Sequence, residues 1–170
     1  MNSLHSLQLT PGTRHCVHIP PERGVHDIAA ALASVVLGSE HKIGVATYPI
    51  PNTHLSRIIG LPSVSTWLAK ELVCPVAQAK SEISRLPVSV DERFGYNACN
   101  PLRFLGFLVA LHAKPSVLIY ETSGMDPRGR QLLNEFAIRE YPEGTLLHVT
   151  SSPLAQCDNP EQCVVVNMQN

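Results

Sequence analysis

The sequence predicts an α/β fold, a mainly parallel sheet flanked by helices. Three observations lead there. Val117–Glu121 (VLIYE) is a short apolar run that empties into the polar loop Thr122–Pro127, as a buried strand does at its C-terminal end. Hydrophobic residues make up 44% of the chain but aromatics only 5%, so an aliphatic core is expected, which suits a parallel sheet covered by helices. Most of the 14 prolines stand at apparent element boundaries. The length, 170 residues, fits one domain over 1–170 with a layered core.

The elements follow in order. Ser6–Thr10 and His15–Ile19 alternate apolar and polar residues around Pro11-Gly12, an antiparallel hairpin pattern. Ile28, Ala31, Leu32, Val35 and Val36 share one helical face, and Gly38 ends that helix. Lys42–Tyr48 reads as a strand. Ser63 can cap a helix over Val64–Val73, which Cys74-Pro75 breaks. A second short helix covers Val76–Leu86. Asn100-Pro101 starts a helix over Leu102–His112, apolar almost all round and therefore buried. Asp126 caps the next helix ahead of Pro127, with Leu132, Leu133, Phe136 and Ala137 on its face and Pro142 at its exit. Gly144–Thr150 is a strand, Pro153–Asp158 a turn or short helix, and Gln162–Val166 a closing strand.

The string Thr122-Ser123-Gly124-Met125-Asp126-Pro127, following VLIYE, resembles the Walker B strand and D-loop of ATP-binding-cassette (ABC) ATPases. The strand, glycine turn and strand of SLQLTPGTRHCVHIPP resemble the lead into that family's phosphate-binding loop. The resemblance runs from about Leu7 to Val166. It implies a P-loop NTPase-like fold with an N-terminal hairpin and a reduced helical subdomain over about 52–100. In such a subdomain the family docks against membrane-spanning partners.

The departures from the family gather at the nucleotide site. A phosphate-binding loop needs glycines so that backbone amides reach the phosphates, a lysine on the β- and γ-phosphates, and a hydroxyl on magnesium. Here Pro20, Arg23 and Val25 stand at the glycine positions, His26 at the lysine and Asp27 at the hydroxyl, with Gly24 at a variable position. Proline removes an amide donor, and Asp27 sets negative charge against phosphate, though it also suits a helix N-terminus. Tyr48 lies nearest the Q-loop glutamine. Asn97–Pro101 replaces the signature loop without its serine and glycines. His148 lies earlier than the switch histidine, within a strand, and reads as packed; Thr150 is followed by Ser151. Glu121 falls at the Walker B aspartate, or at the catalytic base if Tyr120 takes the aspartate position. Either alignment leaves one carboxylate where metal binding and water activation require two, so Glu121 is a weak catalytic candidate and reads better as buried or capping.

The helices keep their apolar faces while the nucleotide motifs are lost. The resemblance therefore implies a degenerate ABC ATPase-like domain: a non-catalytic binding subunit with no cofactor expected, in which Ser123, Gly124, Met125 and Asp126 are interface candidates, as the D-loop is in the family. The implied partner is an active ABC ATPase subunit or a membrane permease, in a hetero- or homodimer. The alternative is an atypical site that binds ATP and magnesium. A third reading is an unrelated small α/β enzyme, for which Ser123 and Ser151 lack an evident histidine and carboxylate.

Composition narrows the classes further. A net charge of −1 makes no electrostatic case for nucleic acid. No run reaches the roughly 18–20 apolar residues of a membrane span, and the first residues lack a signal-peptide pattern. The expectation is a cytoplasmic chain, peripheral to a membrane only through a partner. The five cysteines form no CxxC pair and read as reduced thiols. His15 and His18 point to opposite faces of a flat strand and cannot share one metal there. No metal site is expected.

Overall fold

A computed structural model of the chain describes residues 11–18, 42–49 and 61–150. Among the described residues, four strands form one sheet: β1 (Arg14–His18), β2 (Ile43–Val45), β3 (Val117–Glu121) and β4 (Thr145–Thr150), in the spatial order β1-β4-β3-β2. Every neighbouring pair is parallel. The helices among the described residues are α1 (Val64–Glu71), α2 (Val76–Ser84), α3 (Cys99–His112) and α4 (Pro127–Glu140). A 3-10 turn over Phe94–Tyr96 leads into α3.

The central strand behaves as its composition demands. All five residues of β3 are buried, which only a strand covered on both faces allows. Leu118, Tyr120 and Leu146 belong to the core shared with the helices, while Val117, Ile119, Leu147 and Val149 are fully closed to solvent at the alternate positions. Although aromatics are few, they concentrate where helix meets sheet. Phe104 and Phe107 of α3 both contact Phe136 of α4 edge-on, with centroids 5.5 and 5.9 Å apart, and Phe107 meets Tyr120 at 5.6 Å. The core is thus aliphatic in the sheet and aromatic between the helices.

Local rules explain the helix ends. Ser63 Oγ accepts from Thr66 N at 3.2 Å, capping α1 as its sequence predicts. Glu92 adds a second acceptor for the same turn, taking bonds from Ser65 N at 3.1 Å and Ser65 Oγ at 2.8 Å. Asp126 caps α4 by accepting from Gly129 N at 2.7 Å, with Pro127 in the first turn. The bounds of α1, α2 and β4 fall within those the sequence predicts.

Two elements differ from expectation. β2 covers Ile43–Val45 rather than Lys42–Tyr48. Its pairing ends when Ala46 N donates to Ile119 O at 2.8 Å, because the chain then turns to lay Thr47 O against Gly106 of α3. A Cβ built on Gly106 would stand 2.1 Å from that oxygen, so this crossing is open only to glycine. α3 begins at Cys99, earlier than Leu102. Pro101 still falls in the first turn, where its missing N–H costs nothing. Asn100 does not start this helix; its Nδ2 donates to Asp126 Oδ2 at 2.6 Å, tying the start of α3 to the start of α4.

α1 ends in a strained cap. Val73 N donates to Lys70 O at 3.2 Å and Cys74 N to Ala69 O at 2.9 Å, the paired bonds of a Schellman turn. That turn needs a left-handed residue, and Val73 supplies it at φ 50 while 90% exposed. A β-branched side chain is costly there, and nothing around it compensates. Val73→Gly is expected to stabilise the fold by about 1 kcal/mol, raising the melting temperature by about 2–4 °C. Thermal unfolding followed by circular dichroism checks this.

On β1, His15 is buried, with Nε2 2.9 Å from Thr13 Oγ1. Burial holds its pKa below the ordinary 6.5 because charge is disfavoured away from water. The unfolded chain therefore binds a proton first as pH falls. The stability His15 contributes is complete above about pH 6.5 and is lost as pH drops toward the folded value. Melting temperatures of wild type and His15→Gln, compared between neutral and mildly acidic buffer, should show the steeper decline in wild type.

Of the other expected elements, the strand over 6–10, the loop over 20–27, the helix over 28–36 and the elements at 153–158 and 162–166 lie outside the described residues. The expected antiparallel hairpin is therefore untested: of its span only residues 11–18 are described, where Gly12 has φ 76 and β1 pairs in parallel with β4.

Candidate functional site

The site is built where β3 ends. Glu121, its last residue, is 4% exposed. Arg103 of α3 reaches it from one side, and Nη1 donates to Glu121 Oε1. The same guanidinium donates through Nη2 to Ser123 O at 3.2 Å and lies over the Tyr48 ring, 5.0 Å from its centroid. Arg103 is itself only 6% exposed. Two opposite charges taken out of water this completely must neutralise each other. Burial also pushes the Tyr48 hydroxyl above its ordinary value, with Cys99 adding to the shift and Arg103 opposing it.

The loop after Glu121 folds back on the start of α3. Cys99 Sγ donates to Ser123 O at 3.6 Å, so thiol and guanidinium share one carbonyl acceptor. Met125 N donates to Thr122 O at 3.2 Å, closing a tight turn in which Gly124 takes φ 78. Glycine is suited to that conformation. Met125 is buried in the core, whereas Gly124 and Asp126 face solvent. The Asp126 carboxyl is held below the usual carboxylate range, first by the Gly129 amide and then by Asn100.

A polar chain runs beside this loop. Thr122 Oγ1 lies 2.8 Å from His148 Nε2, and the His148 ring stacks on Tyr120 at 5.0 Å and 11°. Tyr120 and His148 are direct partners in the β3–β4 register. Tyr120 Oη in turn donates to Asn134 Oδ1 of α4 at 3.1 Å. His148 is thus packed within its strand, as its place in the sequence suggests.

The structure brings Glu121, Ser123, Gly124, Met125 and Asp126 to one end of the sheet. Pro20, Arg23, Gly24, His26 and Asp27 lie outside the described residues. Arg103 had no role in the sequence reading. The signal was present: a lone cation in a helix apolar on every side must find a buried counter-charge. Among the described residues, no group of three or more histidine, cysteine, aspartate or glutamate side chains could hold a metal.

A scan of family models finds no match, and a search of curated proteins finds none either. Solved structures do match, 162 chains in all. One is a chain from an inward-facing structure of a transporter assigned to the metal-chelate ABC type. It aligns at a TM-score of 0.64 with 13% identity, over 95% of this chain and 72% of that one. The fold is ABC-like. At this identity the likeness concerns the backbone alone. β3 and the 122–126 loop lie at the C-terminal end of a parallel sheet, the end at which open α/β architectures bind ligands. No helix among the described residues is long and apolar enough to cross a membrane.

Proposed function

We propose that the chain is a non-catalytic ABC ATPase-like subunit, acting as a structural or regulatory partner in a larger, transporter-type assembly. One observation carries the reading: Glu121, a single carboxylate where the resemblance calls for two, is buried against Arg103. A general base must be free to take a proton from water, and a metal ligand must turn its charge to the ion. Glu121 instead balances a guanidinium of its own fold. The sequence of residues 20–27 supports the same reading, since it offers neither lysine nor glycine cradle.

The loop over Ser123–Asp126 is the interface candidate on this reading, with Gly124 and Asp126 as its solvent-facing residues. It is braced from behind by Cys99, Asn100 and Arg103, so it meets a partner without first being ordered. The partner is a functional ABC ATPase subunit or a permease, and the chain sits on the cytoplasmic face of a membrane through that contact. It needs no cofactor for this role.

Titration calorimetry with Mg-ATP tests the proposal. No binding is expected at micromolar nucleotide. Saturable micromolar binding that Glu121→Gln abolishes would replace this reading with that of an ATP-binding subunit. Affinity purification then identifies the assembly: a co-purifying ABC ATPase or permease is the expected result, and a soluble complex without either counts against the transporter setting.

A further inference from the structure

A cavity of about 250 Å³ lies between the exit of β2, the outer face of α1 and the middle of α3. Val45, Gly106 and Val109 form its apolar floor, and Tyr48 and Trp67 line it with aromatic rings. Glu71 supplies the charged group of the lining, to which no lysine, arginine or histidine contributes. From this set we infer that the cavity binds a small organic cation, of the alkylated-ammonium class.

The chemistry of the lining selects that class. An aromatic face attracts a cation electrostatically, tryptophan most strongly, and the attraction grows as water is excluded. Trp67 is fixed for the task by edge contact with Phe94, at 5.3 Å and 85°. Tyr48 already carries Arg103 over its ring, so Trp67 is the main aromatic contact. Glu71 lies four residues beyond Trp67 on α1, one turn along the same helix face. It makes no ion pair or hydrogen bond among the described residues. As the last residue of α1 it also stands at the negative end of the helix dipole, where a carboxylate is unfavourable until a cation joins it.

Other ligands fit less well. An anion would meet Glu71 and the negative helix end together. A bare metal ion would find a single carboxylate in the lining, and Glu71 belongs to no group of three or more histidine, cysteine, aspartate or glutamate side chains among the described residues. The volume lies below the roughly 300 Å³ at which drug-sized pockets begin and leaves room for a methylated ammonium head. The inference shares Tyr48 with the surroundings of the β3 site but uses neither Glu121 nor the 122–126 loop, and it stands or falls separately from the subunit reading above.

Trp67 is the one tryptophan in the chain and lines this cavity, so its fluorescence is a direct probe of ligand there. The full chain is titrated with choline at constant ionic strength. A saturable emission change in the millimolar range is expected. The neutral carbon isostere of choline, equal in shape but uncharged, should bind at least about fivefold more weakly. Glu71→Gln, at an exposed position, should weaken choline by a similar factor and leave the isostere unchanged. Val109→Phe should fill the cavity and abolish both signals. The inference is overturned if choline gives no saturable change, if the isostere binds as tightly as choline, or if Glu71→Gln binds choline like wild type.

Discussion

Replacing Arg103 by methionine is expected to destabilise the fold by about 3–5 kcal/mol, because it leaves the Glu121 carboxylate buried without its counter-charge. The two side chains are 6% and 4% exposed, so neither can turn to water as a surface pair would. Urea unfolding followed by far-ultraviolet circular dichroism measures the loss. The pair itself need not be a large net stabiliser, since desolvating both charges offsets most of their attraction. The double variant Arg103→Met, Glu121→Leu is therefore expected to recover most of what the single variant loses. Arg103→Lys should fall between. A lysine keeps the charge but cannot present the planar fork that serves Glu121 and Ser123 O together. If the single variant were as stable as wild type, Glu121 would have to ionise freely in the fold, and the case against a catalytic role for it would fail.

This pair also marks the boundary of what sequence reading could reach. β3 and the 122–127 loop were legible because their signals are local: an apolar run, a glycine that must take positive φ, an aspartate before a proline. α1 and α4 carry their caps in the same way. Arg103 and Glu121 lie 18 residues apart, on different elements, and no pattern of spacing joins them. Only the global demand that a buried charge be matched connects the two. The early end of β2 is of the same kind. Nothing in KIGVATY stops a strand at Val45, but Thr47 O must clear Gly106 on a helix some sixty residues away in sequence. Asn100 was misread because its side chain serves the neighbouring helix rather than its own. The altered nucleotide loop is a statement about residue types at 20–27, and calorimetry rather than geometry decides it.

Phe136→Ala should cost about 3–5 kcal/mol, the second large effect, and its consequences reach the candidate interface. Phe136 is 1% exposed and touches both Phe104 and Phe107 edge-on. Edge contacts add to area burial, so two of them are lost along with the volume of the ring. The resulting void lies between α3 and α4, and those two helices hold the Ser123–Asp126 loop from opposite ends. Asp126 caps α4 and binds Asn100 of α3, while Arg103 and Cys99 of α3 bind Ser123 O. Phe136→Leu keeps most of the volume and should lose less than about 1.5 kcal/mol. Amide hydrogen exchange separates local from global effects. In Phe136→Ala, protection of the Gly129 amide, which donates to Asp126, should fall more than that of the β3 amides, which are held within the sheet. Equal losses at both places would mean that the two helices do not brace the loop independently of the sheet, and a pre-ordered docking surface would lose its physical basis.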